Sequence, residues 1–283
     1  MFQKVAILGV GLIGGSFGLE LKRRRLARQV VGVGRSKANL IQAKKRKLID
    51  TIGVNLESSV RDADLVVLAG PVQAILRHLK DIAPHLKKGA IVIDVGSTKQ
   101  TIVDQASKKL PKHVFFVGTH PLAGTEKSGA MAAIPDLFRG KSCLITPVAT
   151  THPVVLKKVM QVWQKMGAKT ILVPPKEHDR LLAYTSHLPQ VMATTLMNVI
   201  SQGLPIETIK QFSGGGFRDT TRIAASPAEM WRDICFSNKP HLLKAIKIFQ
   251  KELTKISNFL SKGKQKKMLN YFESAQSLRQ KIS

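Results

Sequence analysis

Short apolar runs recur through the first part of the chain, at 5–8, 30–33, 65–68, 91–93, 114–117 and 143–145. Each is too short for a helix and is bounded by turn-forming residues, so each predicts a buried strand. Between several of them the apolar positions fall at the helical period, over 16–24, 36–47 and 72–79. Strand alternating with helix predicts an α/β domain with a parallel, doubly wound sheet. After "ILVPP" (171–175) the pattern changes, and only long amphipathic stretches follow, over 178–201, 205–212, 227–237 and 240–260. Two adjacent prolines interrupt regular structure. The reading therefore divides the chain into a sheet domain over 1–173 and an all-helical domain over 174–283.

The stretch "VAILGVGLIGGSFG" (5–18) sharpens the first domain. Gly9, Gly11 and Gly14 form GxGxxG directly after a strand and at the start of a helix. In such a fingerprint the first glycine permits a tight turn, the second lets the backbone approach a pyrophosphate, and the third allows close helix-to-strand packing. Leu12 and Ile13 complete the turn, where a helix N-terminus presents free N–H groups to phosphate. This predicts a Rossmann-type dinucleotide-binding domain. An NAD-binding version places Asp or Glu about 20 residues further on, to hold the ribose hydroxyls. Here "GVGRSK" (32–37) stands there, and 21–49 contains no carboxylate. Arg35 and Ser36 are suited to a 2′-phosphate, so NADP is favoured over NAD; the alternative is that Arg35 stacks on the adenine without discriminating.

Charge changes the picture less than its size implies. The chain has 45 Lys and Arg against 18 Asp and Glu, a formal net charge of +27. The basic residues are dispersed over 23–25, 44–47, 87–88, 108–109 and 262–267, each read as a solvated helix face or tail, and aromatics are only 5%. Base-stacking platforms are missing, so the expectation is a solvated basic surface and no nucleic-acid partner. No apolar run is long enough to span a bilayer and the N-terminal stretch has no secretory pattern, which predicts a cytoplasmic protein with no membrane partner. Cys143 and Cys235 have no metal-ligand spacing. They read as buried thiols, and no metal site is expected.

Three further segments carry candidate chemistry. "GTHPLAGTEKSGA" (118–130) follows a strand and sets His120 near the carboxyl edge of the sheet, where such folds bind ligands. "TSHLPQ" (185–190) puts His187 in the first long helix of the second domain, beside a kinking Pro189. "SGGGFRDTTRIAASPAEMWRDICFSN" (213–238) joins a glycine-rich turn to Arg218, Arg222 and Trp231. Each histidine also has a bland reading as a hydrogen-bonded structural residue, and Arg222 one as a surface ion-pair partner.

Taken in order, "GVGLIGGSFG", "DVGSTKQ" (94–100), "HPLAGTEKSG" (120–129), "SHLPQ" (186–190), "GGGFRDTTRIA" (214–224) and "MWRDI" (230–234) resemble the prephenate and arogenate (cyclohexadienyl) dehydrogenase family over nearly the whole chain. The resemblance implies oxidative decarboxylation of a cyclohexadienol on the route to tyrosine, with a nicotinamide cofactor. It implies a cleft between a Rossmann domain and a helical domain that forms a homodimer. His120 is then the base, Ser97 bonds the same hydroxyl or the cofactor, and Arg222 grips a substrate carboxylate. His187 lines the pocket, and Thr125, Glu126 and Ser128 shape its rim. Relatives preferring prephenate often read SHLPH; Gln190 departs from that pattern and leaves prephenate and arogenate both open. Helix-face spacing of Met192, Leu196, Ile200, Ile246, Phe249 and Leu253 points to the same dimer. Two alternatives lie outside the family: another Rossmann hydroxyacid or imine reductase, which leaves these segments unexplained, and a non-catalytic cofactor- or nucleic-acid-binding module.

Overall fold

Along β1 (Phe2–Leu8), Val5 and Ile7 enter one hydrophobic core while Ala6 and Leu8 enter another. The same alternation recurs in β4 (Leu65–Leu68) and β5 (Ile91–Asp94). Side chains of successive strand residues point to opposite faces, so a strand apolar at every position is buried on both. That is why these runs are continuous, and why the sheet they form is doubly wound.

In the computed structural model, which describes residues 1–124 and 127–282, the remaining strands are β2 (Ala27–Val33), β3 (Thr51–Ile52), β6 (Phe115–Pro121), β7 (Ser142–Thr146) and β8 (Lys169–Leu172). They form one sheet in the order β3-β2-β1-β4-β5-β6-β7-β8. Neighbours run parallel except β6 and β7, which are antiparallel; the expectation of a parallel sheet is corrected there. Among the described residues six helices accompany it: α1 (Leu12–Arg23), α2 (Lys37–Lys45), α3 (Leu56–Val60), α4 (Val72–Ile82), α5 (Gln100–Lys109) and α6 (Pro153–Lys165). Phe17 of α1, Phe138 and Trp163 of α6 stack edge to face in the first core, with centroids 5.0–6.5 Å apart. Ile75, Leu79 and Ile82 of α4 and Ile102 and Ala106 of α5 fill the second. The basic run at 23–25 is not simply solvated: Arg23 and Arg24 bracket the buried Glu20 and also pair with Asp136.

The segments after the sheet are helical: α7 (Pro175–Leu182), α8 (Leu188–Gly203), α9 (Ile206–Phe212), α10 (Gly215–Thr221), α11 (Ala228–Ser237), α12 (Lys239–Ser261) and α13 (Gln265–Gln280). The two prolines expected only to break structure also begin α7, with Pro175 at its first position, where a missing N–H costs nothing. The expected continuous pattern over 178–201 is interrupted by one π-helical turn, Ala183–His187, just before Pro189. Proline removes a helical donor and crowds the preceding turn, and the wider turn accommodates both. Residues after 264, read as a basic tail, form α13. Its Tyr271 ring packs against Phe259 of α12 at 6.3 Å. The chain divides into two compact units, 1–238 and 239–283.

Candidate active site at the carboxyl edge of the sheet

Leu8, Leu68, Asp94 and Gly118 are register partners across β1, β4, β5 and β6, so the carboxyl ends of these strands are level. Three strand spacings, about 14 Å, separate β1 from β6. The glycine turn stands at one end of this ledge and His120 at the other.

Gly9 has φ +102°, and a Cβ there would lie 2.6 Å from the Ala69 carbonyl oxygen. A Cβ on Gly14 would come within 2.1 Å of the Gly9 oxygen. These two glycines are required by the chain itself. Gly11 differs: a Cβ would meet nothing within 4 Å. It N-caps α1, with no capping side chain and no acidic residue in the first turn, so the helix N-terminus beside Leu12 and the half-buried Ile13 is left uncapped by any side chain. That is the arrangement a pyrophosphate needs. Asn39, which sequence reading did not single out, braces the turn: its Nδ2 donates to the Val10 carbonyl at 2.8 Å and its Oδ1 accepts from the Ala130 N–H at 2.7 Å. Arg35 is exposed just past β2. Ser36 N-caps α2, its hydroxyl oxygen accepting the Asn39 N–H at 3.2 Å.

His120 is buried within the last part of β6, paired with Leu144 of β7, and not in the loop after it. The antiparallel partner extends the strand beyond the apolar run that announced it. Its Nδ1 is 2.9 Å from His178 Nε2, and His178 Nδ1 is 2.8 Å from Asp179 Oδ1. Asp179 in turn accepts the Lys99 and Gln100 N–H groups at 2.7 and 3.0 Å. These are orphan donors of α5, which has no side-chain cap of its own, so a carboxylate from α7 supplies the cap. Burial pushes the His120 imidazole well below its ordinary 6.5, with the charges of His178, Lys99 and His187 adding to the effect. Burial also lowers His178, against the pull of Asp179. For Asp179 burial acts upward, but hydrogen bonds from His178 and the Lys99 N–H outweigh it and hold the carboxyl low.

Beneath this chain lies a fully buried ion pair between Lys99 and Asp94, and Asp94 also accepts the Gly96 N–H at 2.8 Å. Ser97, half-buried, sits between those two residues in the loop that joins β5 to α5. His187, fully buried at the end of the π-helical turn, is pushed down to about 4 by burial, and the Asp179 charge and the nearby Ser97 backbone oppose the shift. The Trp231 ring meets it edge-on at 6.1 Å. Gln190, one turn on, is buried, its Nε2 3.4 Å from Thr194 Oγ1. Arg222 opens a short 3-10 turn, Arg222–Ala225, with its side chain exposed. Ser128 is exposed; Thr125 and Glu126 lie outside the described residues. The structure thus gathers His120, Ser97 and His187 into one neighbourhood. It adds His178, Asp179, Lys99, Asp94 and Asn238, whose Nδ2 donates to the Asp179 carbonyl at 2.7 Å; sequence reading gave none of these a role. Adjacent His178 and Asp179 in "KEHDR", straight after the prolines, were the one local signal. Among the described residues no cluster of His, Cys, Asp or Glu is arranged to hold a metal.

A glycine turn open to phosphate, on the same sheet edge as a buried uncharged imidazole, defines a dinucleotide-binding fold equipped for proton transfer. Models of the prephenate dehydrogenase nucleotide-binding domain and dimerization domain match residues 17–172 and 174–274. The prephenate dehydrogenase of Bacillus subtilis is 33% identical over 281 residues, 99% of this chain and 76% of that protein. The cyclohexadienyl dehydrogenase of Zymomonas mobilis is 34% identical over 99% of this chain and 96% of its own. Among solved structures, prephenate dehydrogenase from Aquifex aeolicus in complex with hydroxyphenyl propionate and NAD+ superposes with a TM-score of 0.92. It shares 32% identity, covering 100% of this chain and 99% of that one. The chain belongs to the prephenate dehydrogenase family.

Proposed function

We propose that this chain oxidises and decarboxylates prephenate or arogenate, giving 4-hydroxyphenylpyruvate or tyrosine, with hydride transfer to NADP or NAD. The observation that carries the reading is the buried, uncharged His120 on the sheet edge shared with the glycine turn. Gly9, Gly11 and Gly14, with the first turn of α1, hold the pyrophosphate; the bound nicotinamide supplies the hydride acceptor. Arg35 and the Ser36 hydroxyl, whose proton is not used in capping, favour a 2′-phosphate and hence NADP.

His120 receives the substrate hydroxyl's hydrogen bond and draws off its proton as the C–H bond on the same carbon breaks. Loss of carbon dioxide from the opposite ring carbon leaves its electron pair in the ring. The product oxygen is a phenol, so the proton returns from His120; a hydride and carbon dioxide leave with no net proton. A base that stays neutral at working pH suits this loan. Ser97 orients the same hydroxyl, His187 and Gln190 line the ring's pocket, and the Arg222 guanidinium grips a carboxylate with two bonds.

We place the division between nucleotide-binding and helical parts at 173/174, as the spans of the two family models support. We also read the enzyme as a cytoplasmic homodimer. Exposed apolar side chains on α8 and α9, such as Val199, Ile206 and Phe212, support the dimer, as does the match to a dimerization domain. Cys143, buried, and Cys235, half-buried rather than buried as the sequence predicts, are free thiols, which suits a reducing compartment, and among the described residues no helix is long and apolar enough to cross a membrane. The test is reduced-cofactor absorbance with prephenate and with arogenate, each with NAD and NADP. Turnover of either substrate supports the reading; none in all four combinations overturns it.

A further inference from the structure

We propose that Asp179 sets the two buried histidines of the site to opposite tautomers, His120 offering a bare Nε2 and His187 an Nε2–H, with His178 and Asn238 as the positioning residues that carry the effect. The inference deepens the proposed function and rests on it for the chemistry, but not for the tautomers.

The first arm starts at the Asp179 carboxylate. Bonded to two backbone N–H groups and held ionised, it can only accept. His178 Nδ1, at 2.8 Å, therefore donates, which leaves Nε2 of the neutral ring as an acceptor. His120 Nδ1, at 2.9 Å, must donate to it. The one proton of His120 is thus committed to Nδ1, and Nε2 is bare.

The second arm starts at the backbone carbonyl of the same residue. It too can only accept, and Asn238 Nδ2 lies 2.7 Å away, so the amide is oriented with its NH₂ toward Asp179. The same nitrogen is 3.0 Å from His187 Nδ1. Nδ1 must accept the second amide hydrogen, and the His187 proton sits on Nε2. That Nε2 is buried with no hydrogen-bond partner of good geometry among the described residues, while the Ser97 backbone acts on the ring. Leaving a buried donor poorly satisfied is costly, and on the proposed function a substrate oxygen would be its partner.

Opposite tautomers divide the work on one hydroxyl. Its hydrogen needs an acceptor, and its oxygen needs a donor as negative charge builds. Protonated His187 would give up a proton readily, whereas a neutral ring bonds the oxygen and keeps its own hydrogen. The single proton that moves passes to His120 Nε2 and back.

The experiment is a long-range ¹H–¹⁵N correlation spectrum of the ligand-free, histidine-labelled protein at neutral pH, with rings assigned by single His→Gln variants. The expected result is a proton on Nδ1 of His120 and on Nε2 of His187. His178→Phe should redistribute the His120 proton between its two nitrogens and lower kcat on the order of 10-fold, the weight of one neutral hydrogen bond, with KM unchanged and His187 unaltered. Asn238→Asp should draw a proton onto His187 Nδ1 and leave His120 unaltered. Matching tautomers in the wild type, or His120 signals unmoved by His178→Phe, would overturn the inference, and the wild-type spectrum decides if a variant does not fold. Opposite tautomers in a protein that turns over neither substrate would retire the proposed reaction alone; turnover with matching tautomers would retire this inference alone.

Discussion

Lys99 and Asp94 pair with neither side chain reaching solvent, directly beneath the loop that carries Ser97. Two charges removed from water are tolerable only together, and deleting one partner of such a pair costs about 3–5 kcal/mol. Lys99→Met should therefore be among the most destabilising single changes in the chain. Urea denaturation reads it directly, and a loss below about 1 kcal/mol would show that the pair is solvated in solution.

His120, His178 and His187 are all held below 6.5, chiefly by burial. Each takes a proton more readily in the unfolded chain than in the folded one, so stability is full above pH 6.5. It falls as pH drops toward the folded values, about 4 for His187. For that ring alone the interval corresponds to about 3 kcal/mol. Melting temperatures between pH 7 and 4.5 should decline steadily. A flat profile would mean the rings are not buried as neutral species.

With His120 as the proposed base, the same lowering would keep it able to accept a proton well below pH 6.5. The acid limb of kcat/KM should lie correspondingly low. His120→Asn retains hydrogen bonding without basicity and should cut kcat by roughly 10² to 10⁴-fold, with cofactor affinity little changed. Near-normal turnover would remove His120 from the chemistry.

Arg35 stands where a ribose-binding carboxylate is otherwise expected. Arg35→Ala should weaken NADP by roughly 1.5–3 kcal/mol and leave NAD nearly unchanged. Fluorescence titration with both cofactors checks this; an equal loss for both would make Arg35 an adenine-stacking residue.

Much of this was readable along the chain because it is local. The strands announce themselves as apolar runs, and the turn through its three glycines. What was not readable depends on partners far away in sequence. β3 is two residues long, so it leaves almost no pattern. The extension of β6 to Pro121 depends on β7. His178 is 58 residues from His120 and Asp179 is 80 from Lys99, so no window of sequence shows that they meet. The turn and α13 after 262 were obscured by lysines, whose charge says little about backbone conformation.

The antiparallel pairing of β7 with β6 has a consequence for how such an enzyme can change. His120 is carried on a strand laced to neighbours on both sides, whereas Gln190 and Arg222 sit on helical turns outside the sheet. On the proposed function, substitutions in those turns would reshape what the pocket accepts without moving His120, the proposed base. If those roles hold, choice of substrate and competence for the reaction are separately mutable, and a lineage could exchange one cyclohexadienol for another while its chemistry stays intact.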